Sequence, residues 1–541
     1  METLKKKFII ILLIFSFINL NGQDFLKSST ATGNGTTINN SKNWTDVVTT
    51  NIDVTGVTKV LVTASLNMRP DGSNDNGREA NYRIKSNDLT IGDSGVIKRQ
   101  LIKNSEVGVE SWGIGTLVHI FDVSSVASPT SISFTLEHSN KGVSQTGRNV
   151  YTSVRLTAVA LTTTSNNYEL SNDVKRISTD VTTTSATFES LLGSTTNNIN
   201  LPNEGDIYVV ASINSRSNGT NNLAEYKLEY SSNGGANWFD LGKPVKRSMI
   251  NNFDDGIISL VGLKQGLTAG SDYQFRISHR RVSGTNTIFT NNVNLVAIAL
   301  SHNGGGYFPS FYSEVGSIGV DITGVGTAAS DVTSTTFTTT SDIGSEKPDT
   351  YVSSQFLLSA SNLSVSPDER MRGSNQLFLN NGGVDLTENK YYRYIPDNDN
   401  FGSGGTIGLA ENLDSNSLYT IGMKHSIDFV SNSTSDETLT TSEVILAGFQ
   451  LFDKPNSTLG IIDEETFEKK YLLYKSYENI EFKSDDPIDA TIRIYNSIGQ
   501  LMESKSISNK REITISNLNY KGIVFVSIEL SEGIFIKKML L

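Results

Sequence analysis

The chain has no cysteine. Disulfides are excluded, and with them thiolate metal centres and thiol nucleophiles, so the fold must rest on core packing alone. Tryptophan is scarce (3 residues), as are histidine (5) and proline (10 of 541). Long stretches with helical periodicity are missing. Positive charge is short too: 45 Lys and Arg against 57 Asp and Glu leave a net charge of −12. An acidic chain repels phosphate backbones, and no basic stripe interleaved with aromatics occurs, so nucleic acid is not a partner. Catalytic signatures are equally sparse. There is no Gly-rich phosphate loop between a strand and a helix, no G-x-S-x-G elbow in an αβ setting, and no HExxH. A glycosidase needs two carboxylates across one cleft, and nothing in the sequence singles out such a pair. The reading leans away from an enzyme.

What is abundant is Ser, Thr, Asn and Gly. Thr with Val and Ile suits strands, and Asn with Gly suits turns. An all-β fold follows. The chain opens with Lys5, Lys6 and Lys7 and an apolar run from Phe8 to Leu20. That run is shorter than the roughly 20 residues a membrane-spanning helix needs, and no basic anchor follows it. Residues 1–22 read as a cleaved export signal.

Three stretches, "SFTLEHS", "QFRISHR" and "TIGMKHS", carry apolar positions into His138, His279 and His425. Each is followed by a closing strand pattern: "VRLTAVAL", "VNLVAIAL" and "SEVILAGFQLF". Each is preceded by another: "KVLVTASLNMR", "IYVVASINSRS" and "YVSSQFLLSAS". The constant order implies one unit written three times, at residues 25–165, 166–305 and 306–453. Alternation of apolar and polar residues marks strands with one wet face, and two such sheets packed face to face bury the other. Each unit is expected to be a β-sandwich, with a jelly roll among the strand orders open to it. The histidines are expected just past a strand, where the chain leaves the sheet. A structural role there fits repeated equivalent positions better than a groove in each unit, and a shared metal fits least.

Acidic loops are the remaining ligand candidates. They carry Asp71, Asp75 and Glu79, then Asp254 and Asp255, then Asp397 and Asp399. Hard cations want several such oxygens, but the spacing does not match the twelve-residue calcium loop, and Asp and Asn also form ordinary turns. No cofactor is therefore assigned, and calcium is the one left open. The three tryptophans, Trp44, Trp112 and Trp238, are not expected at equivalent places. The best contact surface is the aromatic tract with Tyr391, Tyr392, Arg393 and Tyr394, which reads either as a loop or as a strand with mixed faces.

The texture changes after residue 453. A linker at 454–466 leads to alternating strands at 467–541, with Ile492 and Ile494, then Ile513 and Ile515, then Ile523 and Phe525, with Ile528 further along the same strand. "NSIGQ" and Asn519 to Gly522 read as tight turns, and the whole as a small sandwich. This segment resembles the type A C-terminal sorting domain of the type IX secretion system of the Bacteroidota. The likeness rests on Tyr495, Asn496 and Gly499, on Leu518 and Gly522, and on Lys537 and Lys538. The aromatic after Gly522 is displaced by one place, and the chain ends in Leu541 instead of lysine. The resemblance implies export through the periplasm and the type IX translocon. It also implies removal of the tail, with attachment to surface lipopolysaccharide or release. The body then reads as a secreted or cell-surface modular binding or adhesion protein, with a glycan or other surface ligand. A secreted polysaccharide-acting enzyme and an architectural surface subunit are the alternatives.

Overall fold

Residues such as Val60, Val62, Ala64 and Leu66 alternate with partners of opposite facing along one tract, and that period of two fixes a strand with two different faces. The same rule runs through the chain. The structure, a computed structural model, describes residues 24–38, 43–71, 78–89, 93–101, 113–126, 131–140, 149–164, 166–249, 255–303, 305–341, 346–363, 371–380, 391–395, 401–430, 436–455, 470–476, 479–496, 501–515, 522–530 and 533–540. Among these residues the fold is all-β, built of antiparallel sheets.

A first set of strands comprises β1 (Leu26–Ile38), β2 (Thr45–Asp53), β3 (Lys59–Asp71), β4 (Arg78–Lys85), β5 (Ile97–Leu101), β6 (Gly113–Asp122), β7 (Ser131–Asn140) and β8 (Asn149–Thr163). A second comprises β9 (Asn172–Ile177), β10 (Val181–Thr183), β11 (Glu189–Ser190), β12 (Ile199–Asn200), β13 (Gly205–Ser217), β14 (Asn222–Ser231), β15 (Phe239–Met249), β16 (Gly256–Leu267), β17 (Asp272–Ser283) and β18 (Ile288–Ala299). After the short β19 (Gly306–Tyr307), a third comprises β20 (Ser310–Val315), β21 (Val320–Thr323), β22 (Ser330–Thr338), β23 (Thr350–Ser361), β24 (Met371–Asn380), β25 (Tyr391–Ile395), β26 (Phe401–Ala410), β27 (Leu418–Val430) and β28 (Thr438–Gln450). A short β29 (Lys454–Pro455) pairs with β19.

The first set forms two sheets, β1-β8-β3-β6 and β2-β7-β4-β5. The same order returns in the second set as β10-β18-β13-β16 and β11-β17-β14-β15, where β9 continues β10 and β12 continues β11. It returns again as β20-β28-β23-β26 and β22-β27-β24-β25, with β21 continuing β20. Each pair of sheets encloses a core. In the first set, Val62, Leu66 and Leu156 of one sheet meet Tyr82, Phe134 and Leu136 of the other. Equivalent cores hold Val209, Leu260 and Phe275, and Val352, Leu377 and Met423.

The outer faces of the three leading sheets are apolar too, and they are packed together. Leu61, Val118 and Val159 share one buried cluster with Tyr208, Val261 and Val296 and with Tyr351, Ile407 and Ala447. Burying side chains of this size contributes roughly 1.5–3 kcal/mol each, so residues Gln23–Lys454 form a single compact unit. Polar bonds run round this centre. Ser65 Oγ accepts from Ile407 N at 2.6 Å, and Gln355 Oε1 accepts from Val261 N at 2.6 Å. Thr116 Oγ1 donates to Ser259 Oγ at 2.6 Å. Ser212, in register with Ser65 and Gln355, keeps a buried hydroxyl with no partner among the described residues. The third edge strand approaches so closely that a Cβ on Gly405 would lie 2.5 Å from Ser259 Cβ.

From Pro455 onward the chain belongs to a separate unit. Its strands are β30 (Tyr471–Ser476), β31 (Asn479–Asn496), β32 (Leu501–Ile515), β33 (Ile523–Leu530) and β34 (Gly533–Leu540). They form one five-stranded sheet, β30-β31-β33-β34 with β32 also on β31, and not the two-sheet sandwich expected from the sequence. The reason is β31. Its 18 residues include Asp485, Asp486 and Pro487, and its pairing with β32 shifts between Lys483 and Ile488. A proline without an N–H and a bulge let one strand turn and serve both halves of a curled sheet. The phase expected for the fourth strand is also corrected. Val524, Val526 and Ile528 are buried, whereas Ile523 is exposed.

Candidate functional site

The three histidines lie inside β7, β17 and β27, not beyond them. They hold equivalent registers: His138 opposes Thr45 and Tyr82, His279 opposes Glu189 and Tyr226, and His425 opposes Ser330 and Asn375. All three are buried. Desolvation lowers the pKa of His138 to about 3 and of His279 and His425 to about 4. His279 Nδ1 lies 3.1 Å from Thr290 Oγ1, and His425 Nδ1 lies 2.8 Å from Thr441 Oγ1. Those threonines, and Thr152 in the first set, share one backbone register on the last strand. His138 stacks on Tyr82 at 4.8 Å between ring centroids.

The second sheet of each set carries its polar residues on the face away from the core. In the second set Glu229 accepts from Ser278 Oγ at 2.6 Å and from Arg276 Nε at 2.7 Å, with Lys227 Nζ at 2.8 Å. Burial opposes ionisation of Glu229, but the bonds from Lys227, Ser278 and Arg276 outweigh it and hold its carboxyl below the usual range. Arg276 lies over the Trp238 ring at 4.1 Å. Phe188 carries Lys227 at 4.6 Å and Arg280 at 4.5 Å. In the first set Trp44 carries Arg83 at 4.3 Å, and Arg83 Nε binds Glu137 at 2.6 Å. Trp44 and Phe188 occupy the same place, one residue before the position opposite the histidine. An aromatic platform therefore does recur in two of the three sets. Sequence comparison of tryptophans alone missed it, because one member is phenylalanine. In the third set this place is Ala329.

A groove of about 660 Å³ opens where β9 and β10 part from β11. His279, Ile177, Val181 and Leu192 line it, and Arg176, Asp180 and Glu189 supply its charges. Asp180 is held by Arg216 at 2.8 Å and by the side-chain amide of Asn291. Arg176 is held by Asp93 at 3.3 Å.

The residues singled out from the sequence do not converge. Tyr391 is in the core, 4% exposed, on the edge strand β25, which removes it from any contact surface. Tyr392, Arg393 and Tyr394 follow it on that strand. Asp71 ends β3 and Glu79 lies in β4, while Asp75, Asp254, Asp397 and Asp399 lie outside the described residues. Asp255 is buried and accepts from Asn214 Nδ2 at 2.9 Å. Among the described residues no three His, Asp or Glu side chains gather as a cation site. In the tail, Tyr495 and Asn496 end β31 opposite Phe525 and Val524, and Lys537 and Lys538 lie in β34. Gly522 has φ 151°, a backbone that suits glycine. Gly499, Leu518 and both expected turns apart from Asn496 and Gly522 lie outside the described residues.

Together these features define an all-β protein of several antiparallel sheets with a separate curled domain at its end. Residues 474–541 match the family described as the secretion system C-terminal sorting domain. That domain is recognised by the type IX translocon, and the protein is exported through the periplasm to the cell surface. No curated protein matches the chain. Among solved structures, a peptide-N(4)-(N-acetyl-β-D-glucosaminyl) asparagine amidase is 10% identical, with a TM-score of 0.26, over 51% of this chain and 99% of that one. PNGase F, a glycosylasparaginase from Flavobacterium meningosepticum, is 9% identical with a TM-score of 0.22, over 50% and 95%. The N-terminal CBM22 tandem domain of Xyn10C from Paenibacillus barcinonensis is 11% identical with a TM-score of 0.16, over 52% and 91%. Superpositions this loose carry no argument about activity.

Proposed function

We propose that this is a surface-displayed binding protein built from three jelly-roll sandwich modules, residues 25–165, 166–305 and 306–453, delivered by its sorting domain and held at the cell surface through lipopolysaccharide or released. The observation that carries this reading is the commitment of every leading sheet to one shared core. Binding must then use the second sheets and the sandwich edges, which is where the aromatic, charged and grooved features lie. Three modules fixed in one body present several such surfaces at once, an arrangement suited to weak multivalent contacts. The test is direct. Residues 24–455 are expressed and their binding to whole cells and a broad glycan panel is measured, with and without calcium. Retention on at least one surface is expected, and silence at high protein concentration would sink the reading. For delivery, residues 467–541 fused to a fluorescent cargo should carry it out of a type IX-competent host, and retention in the periplasm would refute that role.

A further inference from the structure

We propose that the groove of the second strand set is a site for a neutral saccharide, in which the unprotonated Nε2 of His279 accepts a hydrogen bond from a ligand hydroxyl. This rests on the binding reading above and names its ligand class.

The tautomer follows from counting protons. Tyr226 donates its single hydroxyl proton to Ser215 Oγ at 2.7 Å. The 2.8 Å contact between Tyr226 and Thr290 is then made by the Thr290 hydroxyl as donor. Thr290 has no second proton, so at 3.1 Å His279 Nδ1 must be the N–H that donates to it. The lone pair is left on Nε2. In the sister positions that nitrogen is sealed: His425 Nε2 and both ring nitrogens of His138 are buried with no partner among the described residues. His279, by contrast, lines the groove. Burial keeps this imidazole neutral, with a pKa of about 4, so it remains an acceptor across ordinary extracellular pH.

The rest of the groove selects the ligand. Its volume of about 660 Å³ lies within the roughly 300–1,000 Å³ of small-ligand sites. Asp180 and Arg176 are already ion-paired, to Arg216 and Asp93, which leaves little field to draw an ion. Glu189 at the rim would repel an anion while accepting from a hydroxyl. Ile177, Val181 and Leu192 offer an apolar wall to the C–H face of a sugar ring. Hydroxyl acceptors beside apolar side chains suit a polyhydroxylated, uncharged ligand.

The mature chain is titrated with neutral mono- and oligosaccharides while the imidazole nitrogens of His279 are followed by long-range ¹H–¹⁵N NMR. Binding is expected to move the Nε2 resonance, and Leu192→Trp, at a position 79% exposed on the rim, is expected to weaken affinity tenfold or more. Ile318→Trp, at a position 94% exposed in the third set, serves as the control and should bind as the parent does. Saccharide binding that leaves Nε2 unmoved and survives Leu192→Trp would overturn this site while preserving the wider reading. Absence of any saccharide binding would also overturn it, and retention on whole cells would then judge the wider reading separately.

Discussion

At the scale of single residues, the buried imidazoles set how the protein responds to acid. His119, His138, His279 and His425 are all held neutral by desolvation, at about 4, 3, 4 and 4, against 6.5 for an unburied histidine. Between these values the unfolded chain binds protons that the folded chain refuses. The stability these histidines contribute is therefore complete above pH 6.5 and is lost as pH falls toward 4, each site adding up to about 1.4 kcal/mol per pH unit to the slope. His138→Phe keeps the stack on Tyr82 and removes one titrating group. Urea midpoints between pH 7 and 4 should show a shallower fall for that variant, and an unchanged slope would count against the buried neutral imidazole. Gly405 tests the centre of the body. A methyl there would press on Ser259 Cβ from 2.5 Å, so Gly405→Ala should cost about 1–3 kcal/mol in chemical denaturation.

At the scale of elements, the junctions between strand sets are copies of one another. Leu170 N donates to Leu161 O at 2.8 Å and Phe308 N to Leu300 O at 2.7 Å, each just after a set ends. Leu26 N donates to Leu451 O at 2.7 Å in the same manner. The first two junctions join neighbours in sequence; the third joins the two ends of the body without a covalent link. Leu26 is 2% exposed in the shared core. Leu26→Ala should therefore cost about 2–5 kcal/mol, and hydrogen exchange should show loss of protection at the residue 26 amide. Retained protection would mean that this closure is not held by the leucine. The element pattern was largely legible beforehand. The histidine strands, the strands before them and the closing strands all alternate strongly, because each has one core face. The histidine placement was off for a simple reason. A polar residue on the inward phase reads as the end of a strand, unless a threonine on another strand is known to meet it.

At the scale of the molecule, the second and third sets are tied together through Gln355. Its Oε1 takes Val261 N at 2.6 Å, and its Nε2 gives to Lys243 O at 2.9 Å, both in the second set. Gln355→Leu strands both backbone groups in a buried centre, at roughly 1–3 kcal/mol each. Because the core is shared, residues 24–455 should still unfold in one transition by calorimetry, at a lower temperature. Separate melting of one set while the others persist would show that the common core does not couple them. The groove over His279 belongs to this scale as well. Asp180 just before β10, Glu189 of β11 and His279 of β17 all line it, and no spacing in the chain announces their meeting.

The amino-acid order alone determined the all-β class and the sorting tail, because strand alternation and a short terminal pattern are local properties written residue by residue. It could not say which sheet of each strand set would be buried a second time, that Trp44 and Phe188 would share a place, or that His279 would line a groove. Those depend on contacts between strands distant in the chain, and only the packing of the sheets decides them.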